Sequence, residues 1–446
     1  MATVLDTLTD AGQQAALVGG CIRDLVSGSV PDDWDVATSA PPEQVVALFP
    51  GSTWENRFGT VTVQTDDGLV EVTTFRSESA YRDARHPGDV RWGASLTDDL
   101  DRRDFTINAM AWVPPGPLLD PHGGQADLAA RVLRAVGDPD ERLGEDALRL
   151  LRAARFAATL DLTIEPATAA AVRRHAANAG RLSGERVRDE LVRMLRAPVP
   201  SRAIGLLEDL TLLPVVLPEL AALRGVEQGK LLGGDAFDHS LRTADALPAS
   251  DPVLRLAGLL HDIGKAPTAA DGHFIGHEGV GATLAEARLR QLAFPGATVE
   301  RVAHLIRHHM VLYSSDWTDA AVRRFLRRVG ADQVDDLLAL RRADTAASAG
   351  PETRDAAADE LSRRLALVRQ NAALAVTDLA IDGNELMAEC GMTPGPRIGR
   401  ALAHLLETVT DDPSLNTRDH LLTEARKWLG GDAAQRSEPG PTSGNH

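Results

Sequence analysis

The chain has 446 residues, enough for about three domains, with 43% hydrophobic and 25% charged residues and a net charge of −17. No apolar run approaches the ~20 residues of a membrane span. The first residues carry no basic n-region and no cleavage site, and Cys21 and Cys390 form neither a disulfide framework nor a metal-spaced set. A cytoplasmic protein that spans no membrane is expected. The acidic balance argues against a wholly basic nucleic-acid binder but not against a local basic face, because phosphate contacts depend on local charge. The basic residues are nearly all arginine: Lys230, Lys265 and Lys427 are the only lysines. Genomic base composition accounts for that bias.

In chain order, residues 1–138 mix strands and helices. AALVGG (15–20) reads as a buried strand entering a Gly turn and a helix from Cys21. DVAT, GTVTVQT and LVEVTTF are rich in β-branched residues and read as further strands. From about Asp140 the pattern is helical. EDALRLLRAARFAATL, ERVRDELVRML and AIGLLEDLTLLPVVLPEL fill a segment over 139–232. A Gly-rich junction at Gly233–Gly234 opens a second helical stretch, 233–345, which holds most of the histidines. A third, 346–430, contains a GPRIG turn. Residues 431–446 are polar and Pro/Gly-rich and are expected to be disordered. The fold class expected is α+β, a head with a small mixed β-sheet followed by all-helical regions.

Asp33-Trp34-Asp35 is the sharpest local signal. On a strand, residues i and i+2 point the same way, so both carboxylates aim at one spot. That suits two Mg²⁺ ions about 3.5–4 Å apart, which clamp the attacking and leaving oxygens of a phosphoryl transfer. Glu71, on the strand LVEVTTF, is a candidate third carboxylate. Gly19 and Gly20 lie between a strand and a helix, where backbone N–H groups can approach a triphosphate, and Arg23 can fork onto its phosphates.

The string LVGGCIRDLVSGSVPDDWDVATSA, followed by RRDFTINAM (102–110) and EDALRLLRAARFA (145–157), resembles the class II tRNA nucleotidyltransferase and bacterial poly(A) polymerase family. The likeness continues through GERVRDELVRML and GPRIG. It implies that Asp33 and Asp35 carry the metals, that Gly20, Arg23 and Arg103 bind the nucleotide, and that Asp104 and Asn108 shape the same pocket. The helical tail would hold the acceptor arm of tRNA.

EDALRLLRAARF places Asp146, Arg149, Arg152 and Arg155 at i, i+3 positions on roughly one helical face. An isolated segment of this kind reads as a salt-bridged exposed helix. The resemblance makes Asp146 and Arg149 readers of the incoming base, with Arg152 and Arg155 holding the nucleotide. Cytosine and adenine both present an amino donor beside a ring-nitrogen acceptor. A carboxylate and a guanidinium therefore accept both and reject guanine and uracil, since unpaired buried polar groups are costly. In this family, a loop such as ESAYRDARHPGDVRW (78–92) is associated with the switch from C to A addition.

Residues 233–345 contain Phe237-Asp238-His239, then His261-Asp262-Ile263-Gly264-Lys265, then Asp344. This resembles the HD phosphohydrolase pattern, which implies His239, His261, Asp262 and Asp344 as ligands of a divalent metal. Imidazole and carboxylate suit a transition metal or Mg²⁺, and a bound ion would activate water against a phosphate ester. His277, His304, His308 and His309 are additional. His304 and His308, spaced i, i+4, would face the same metal or a phosphate, or else lie on a surface helix that pairs with RNA.

The expected activity is template-independent addition of C, C and A to tRNA from CTP and ATP, with an HD phosphohydrolase behind it. The rivals are a poly(A) polymerase and an HD phosphohydrolase whose head only binds nucleotide or RNA. The sequence leaves the oligomeric state open.

Overall fold

A computed structural model describes residues 1–54, 59–66, 68–78, 90–92, 95–370 and 373–435. The head is built on a seven-stranded mixed sheet. Its strands are β1 (Ala15–Val18), β2 (Trp34–Thr38), β3 (Thr53–Trp54), β4 (Thr60–Thr65), β5 (Gly68–Thr74), β8 (Ala111–Trp112) and β9 (Leu118–Leu119). The order across the sheet is β3-β4-β5-β2-β1-β8-β9. A separate two-stranded ribbon pairs β6 (Arg76–Glu78) with β7 (Val90–Trp92). Most of the 78–92 segment, residues 79–89, lies outside the described residues.

The two faces of the sheet follow from the period-2 pattern of the sequence. Val36, Val61, Val63, Val70 and Val72 pack with Leu5, Leu8, Ile22 and Val45 from the flanking helices. Ala16, Val18 and Ala37 face the other way and pack with Phe75 and Leu100. Asp35 lies on this second face, two residues before Ala37. The parallel pairing of β2 with β5 sets Asp35 opposite Glu71.

Behind the head, a short parallel pair of Val132–Leu133 with Thr163–Ile164 leads into helices. The helices Leu148–Thr159 and Gly184–Leu195 pack against each other and share one hydrophobic core with Ala236–Asp245, Pro252–Leu260, Gly296–His308 and Val334–Ala349. The sequence marks a junction at Gly233–Gly234, yet apolar packing runs across it. The helix Ala356–Arg369, placed with the tail on sequence grounds, contributes Ala358, Leu361 and Leu365 to this larger core. A smaller core of Ile381, Leu386, Leu405 and Leu421 belongs to the last three helices. The final helix runs Arg418–Gln435, so the order expected to end at 430 continues for five residues.

Local signals place the site-bearing helices. Asp235 and Asp238 form a reciprocal capping box that starts the helix Ala236–Asp245 and puts His239 in its first turn. Gly184 opens its helix against the end of the helix His277–Gln291. A Cβ there would meet the Gln291 carbonyl and stand 2.9 Å from backbone atoms of Leu292. Gly184→Ala is therefore expected to lower stability by about 1–3 kcal/mol through overpacking. Urea unfolding followed by circular dichroism checks this, and an unchanged midpoint would mean the contact yields.

Candidate functional site

The head site starts at Gly19, whose φ of 75° favours glycine. A Cβ at this position would lie 2.7 Å from Arg103 Nη1 and 3.5 Å from Asp35 Oδ2. The turn therefore brings the strand end, Arg103 and the β2 carboxylate together. Asp35 is on β2. Asp33 is one residue outside it, in the bend before Trp34, and exposed. The strand period expected of the pair holds for Asp35 alone. Burial raises the Asp35 pKa, and Glu71 and Asp33 add to the rise against the lowering charges of Arg103 and Arg23. Carboxylate oxygens gathered at one spot, one of them partly desolvated, are the donors that a hard divalent cation takes, so the set fits a cation such as Mg²⁺.

The RRDFTINAM segment ties this cluster to the helical region. Arg23 Nη1 donates to Asn108 Oδ1 at 2.9 Å. Asn108 Nδ2 donates to Asp104 Oδ1 at 3.2 Å, and Arg152 Nε donates to Asp104 Oδ2 at 2.6 Å. Burial pushes the Asp104 pKa up, but Arg152 and Arg149 outweigh it and hold the carboxyl below its usual range. Arg103 Nη1 reaches the Asn108 carbonyl at 3.3 Å and its Nη2 pairs with Asp99 at 3.2 Å.

The arginines Arg149, Arg152 and Arg155 lie on the helix Leu148–Thr159, as their spacing predicts, but Asp146 does not. It sits in an extended break after the helix Pro139–Glu145. Its Oδ1 accepts from Leu148 N at 2.9 Å, and its Oδ2 accepts from Arg186 Nη2 at 2.7 Å. A short polar side chain before a helix competes for its free N–H groups, so Asp146 caps the helix it was expected to join. Arg149 donates through Nη1 to the Arg142 carbonyl at 2.8 Å and to Glu145, and through Nη2 to the Arg102 carbonyl at 2.7 Å. Its Nε–H and one Nη2–H have no partner among the described residues. Arg155 pairs with Glu190 at 2.5 Å and lies over the Phe156 ring. Arg186 was not identified from sequence. It lies within the GERVRDELVRML string, but nothing local points it at Asp146.

The second site is a buried histidine centre. Two overlapping groups of potential ligands share Asp262: His239, His261 and Asp262, and Asp262, His277 and His309. Asp262 Oδ2 lies 3.2 Å from His261 Nε2 and 3.7 Å from His239 Nε2. Its Oδ1 lies 3.5 Å from His277 Nε2 and 3.8 Å from His309 Nε2. Asp344 Oδ1 lies 2.9 Å from His239 Nε2. The four residues assigned from the HD pattern are thus together, and His277 and His309 join them. His304 and His308 do not; their rings lie against each other, tilted by 56°, with centroids 4.5 Å apart.

Three of these imidazoles are oriented alike. Nδ1 of His261, His277 and His309 bonds the carbonyls of Gly258 (2.7 Å), Phe274 (2.8 Å) and Ile306 (2.7 Å). Such bonds fix the tautomer and turn Nε2 inward, the arrangement of metal-ligating histidine. Buried His261 Nε2, 3.2 Å from Asp262 Oδ2, is not aligned for a hydrogen bond with any of the described residues. Burial brings the pKa of His239 and of His309 down to about 4, so both rings are neutral at pH 7. Burial raises the Asp262 pKa, but His261, His277 and Lys265 hold it well below the usual range. Burial lowers the His277 pKa too, but Asp262 and the Phe274 carbonyl outweigh it and raise it; neutral His239 and His309 beside an ionised carboxylate fit a divalent metal. Two lysines also reach the centre: Lys265 Nζ is 2.6 Å from Asp262 Oδ2, and Lys230 Nζ is 2.9 Å from Asp344 Oδ1.

The same framework recurs in known proteins. Residues 15–134 match the model of the poly A polymerase head domain. Residues 161–223 match the probable RNA and SrmB-binding site of polymerase A, and residues 236–348 match the HD domain. The A-adding tRNA nucleotidyltransferase of Deinococcus radiodurans is 40% identical over 88% of this chain and 91% of its own length. The chain belongs to the tRNA nucleotidyltransferase family. Another relative, the CC-adding tRNA nucleotidyltransferase of Thermus thermophilus, is 34% identical over 94% of this chain and 95% of its own. Among solved structures, the Bacillus stearothermophilus CCA-adding enzyme in complex with CTP superposes with a TM-score of 0.73. It has 27% identity and covers 97% of this chain and 98% of that one.

The Asp35 environment yields a stability test for this nucleotidyltransferase. A carboxyl whose folded pKa lies above its unfolded value destabilises the fold when ionised, and protonation relieves that cost. Metal-free Asp35→Asn is therefore expected to melt above wild type at pH 7. The difference should vanish as pH falls below the unfolded carboxylate range. A lower melting temperature for the variant at pH 7 would contradict the charge reading of this site.

Proposed function

We propose that this nucleotidyltransferase adds C, C and A to the 3′ end of tRNA from CTP and ATP, and that its HD centre hydrolyses a phosphate ester. The head is residues 1–138, the neck 139–232, the HD region 233–345 and the tail 346–430. The observation that carries the transferase reading is the convergence of Asp35, paired across β2 and β5 with Glu71, on the Gly19 turn and Arg103. The CTP-bound relative of the same fold supports it.

In this reading Asp33 and Asp35, with Glu71 beside them, hold Mg²⁺, which when bound acidifies the RNA hydroxyl and offsets charge on the phosphates. Gly19, Gly20, Arg23 and Arg103 hold the triphosphate. The terminal RNA hydroxyl forms a bond to the α-phosphorus of CTP or ATP, the α–β bridging bond breaks, and pyrophosphate leaves. Asp146 accepts from the amino group of cytosine or adenine, using lone pairs that Leu148 N and Arg186 leave free. Arg149 donates one of its two unpartnered N–H groups to the ring nitrogen. Its plane is fixed by the Arg142 and Arg102 carbonyls and Glu145. Arg152 and Arg155 support the nucleotide from the same helix. At the HD centre, His239, His261, Asp262 and Asp344, with His277 and His309, would hold the metal, which supplies an activated water.

One observation favours a second reading, addition of the last A alone: an A-adding relative matches over 91% of its length. Purified protein offered tRNA ending before CCA, after one C and after two, with each NTP separately, decides. Incorporation of C, C and A, stopping there, is expected; A alone on the third substrate gives the second reading, and long A tracts give a poly(A) polymerase. Asp262→Ala should leave all additions intact, and loss of them in a folded variant would couple the two sites.

Base choice gives a sharper prediction. Asp146→Ala should slow CTP and ATP use by about one to two decades, the equivalent of a charged hydrogen bond of roughly 1.5–3 kcal/mol, and relax rejection of UTP and GTP. Arg186→Ala should shift preference the same way to a lesser degree, while Arg152→Ala slows all four nucleotides alike. kcat/KM for the four NTPs checks the set; an even loss in Asp146→Ala would remove it from base reading.

A further inference from the structure

The chain has three lysines against forty-four arginines, and two of the three, Lys230 and Lys265, reach the HD centre. Where composition makes arginine the default cation, an ammonium at this point is a matter of shape. It is a compact point charge, and a planar guanidinium is not. Lys230 Nζ lies 2.8 Å from His239 Nε2 and 2.9 Å from Asp344 Oδ1, two atoms that are themselves 2.9 Å apart. The imidazole Nε2 either accepts from the ammonium or donates to the carboxylate, and in both tautomers the Lys230 Nζ occupies the space between the two groups. Lys265 adds a second positive charge on the same side, at Asp262 Oδ2.

The other half of the centre is built differently. Nδ1 of His277 and of His309 is committed to a backbone carbonyl. The two Nε2 atoms converge at 3.2 Å, and both face Asp262 Oδ1, at 3.5 and 3.8 Å. Because each Nδ1 donates to a carbonyl, a hydrogen bond between the two Nε2 atoms requires a proton on one of them, and an ion entering there displaces that single proton, which leaves to solvent. An ion entering between His239 and Asp344 must displace a tethered ammonium that remains nearby as a like charge.

We propose that Lys230 is a built-in cation filling the ligand position between His239 and Asp344, so that a divalent ion first binds the set His277, His309 and Asp262 Oδ1. This rests on the HD reading above. A second ion loads at His239, His261 and Asp344 only as Lys230 withdraws.

The test is Co²⁺ titration, by calorimetry and visible absorption, of the full chain carrying Asp33→Ala and Asp35→Ala to silence the head. One tight equivalent is expected. His309→Ala should weaken it more than tenfold, with His277→Gln as a second variant should the first unfold, and His239→Ala should change it less than threefold. Lys230→Met should tighten a second equivalent at least tenfold. Loss of the tight equivalent in His239→Ala with retention in both outer variants would overturn the proposal, as would a second equivalent unmoved by Lys230→Met. Absence of any binding in the parent chain would overturn the HD reading itself.

Discussion

The Asp104 carboxylate joins the two halves of the transferase site, and the geometry around it depends on that one charge. It accepts from Phe105 N and Asn108 Nδ2 on the head side and from Arg152 on the neck side. A buried carboxylate without partners is costly, and removing one partner of such a pair leaves an uncompensated charge. The head therefore cannot turn away from the helix Leu148–Thr159 without exposing that cost. Through Asn108 the same network reaches Arg23, beside the phosphate-binding turn. The group proposed to hold phosphates and the helix proposed to meet the base are thus set in one register.

Arg155, bound to Glu190, and Arg186, bound to Asp146, extend that register into the helix Gly184–Leu195. This helix in turn packs in the core that carries the histidine centre. The two sites therefore share one helical hydrophobic core while their polar groups stay far apart in sequence.

Much of this was legible in the sequence. The β-branched runs predicted β2, β4 and β5 because strand periodicity is local, and the pairing of Glu71 beside Asp35 follows from two such strands in parallel. The three arginines of the helix Leu148–Thr159 were legible for the same reason. The chemistry of His239, His261, Asp262 and Asp344 came from a resemblance and not from any local pattern. Asp146 was misplaced because a helix break leaves no mark in i, i+3 spacing, and only the neighbouring Leu148 N–H and Arg186 reveal it.

The sequence by itself determined which residues could do chemistry and which local elements they ride on, since propensity, period and capping act within a few residues. Only the tertiary structure decided which of the extra histidines join the buried histidine cluster around Asp262. His304 and His308 have helical spacing that brings them to each other, whereas His277 and His309, 32 residues apart, meet because their helices pack side by side. It also decided that Lys230 stands between His239 and Asp344, 114 residues from the latter. Contacts of that range depend on how cores close and where buried charge must be matched, and neither is written in the spacing of neighbours.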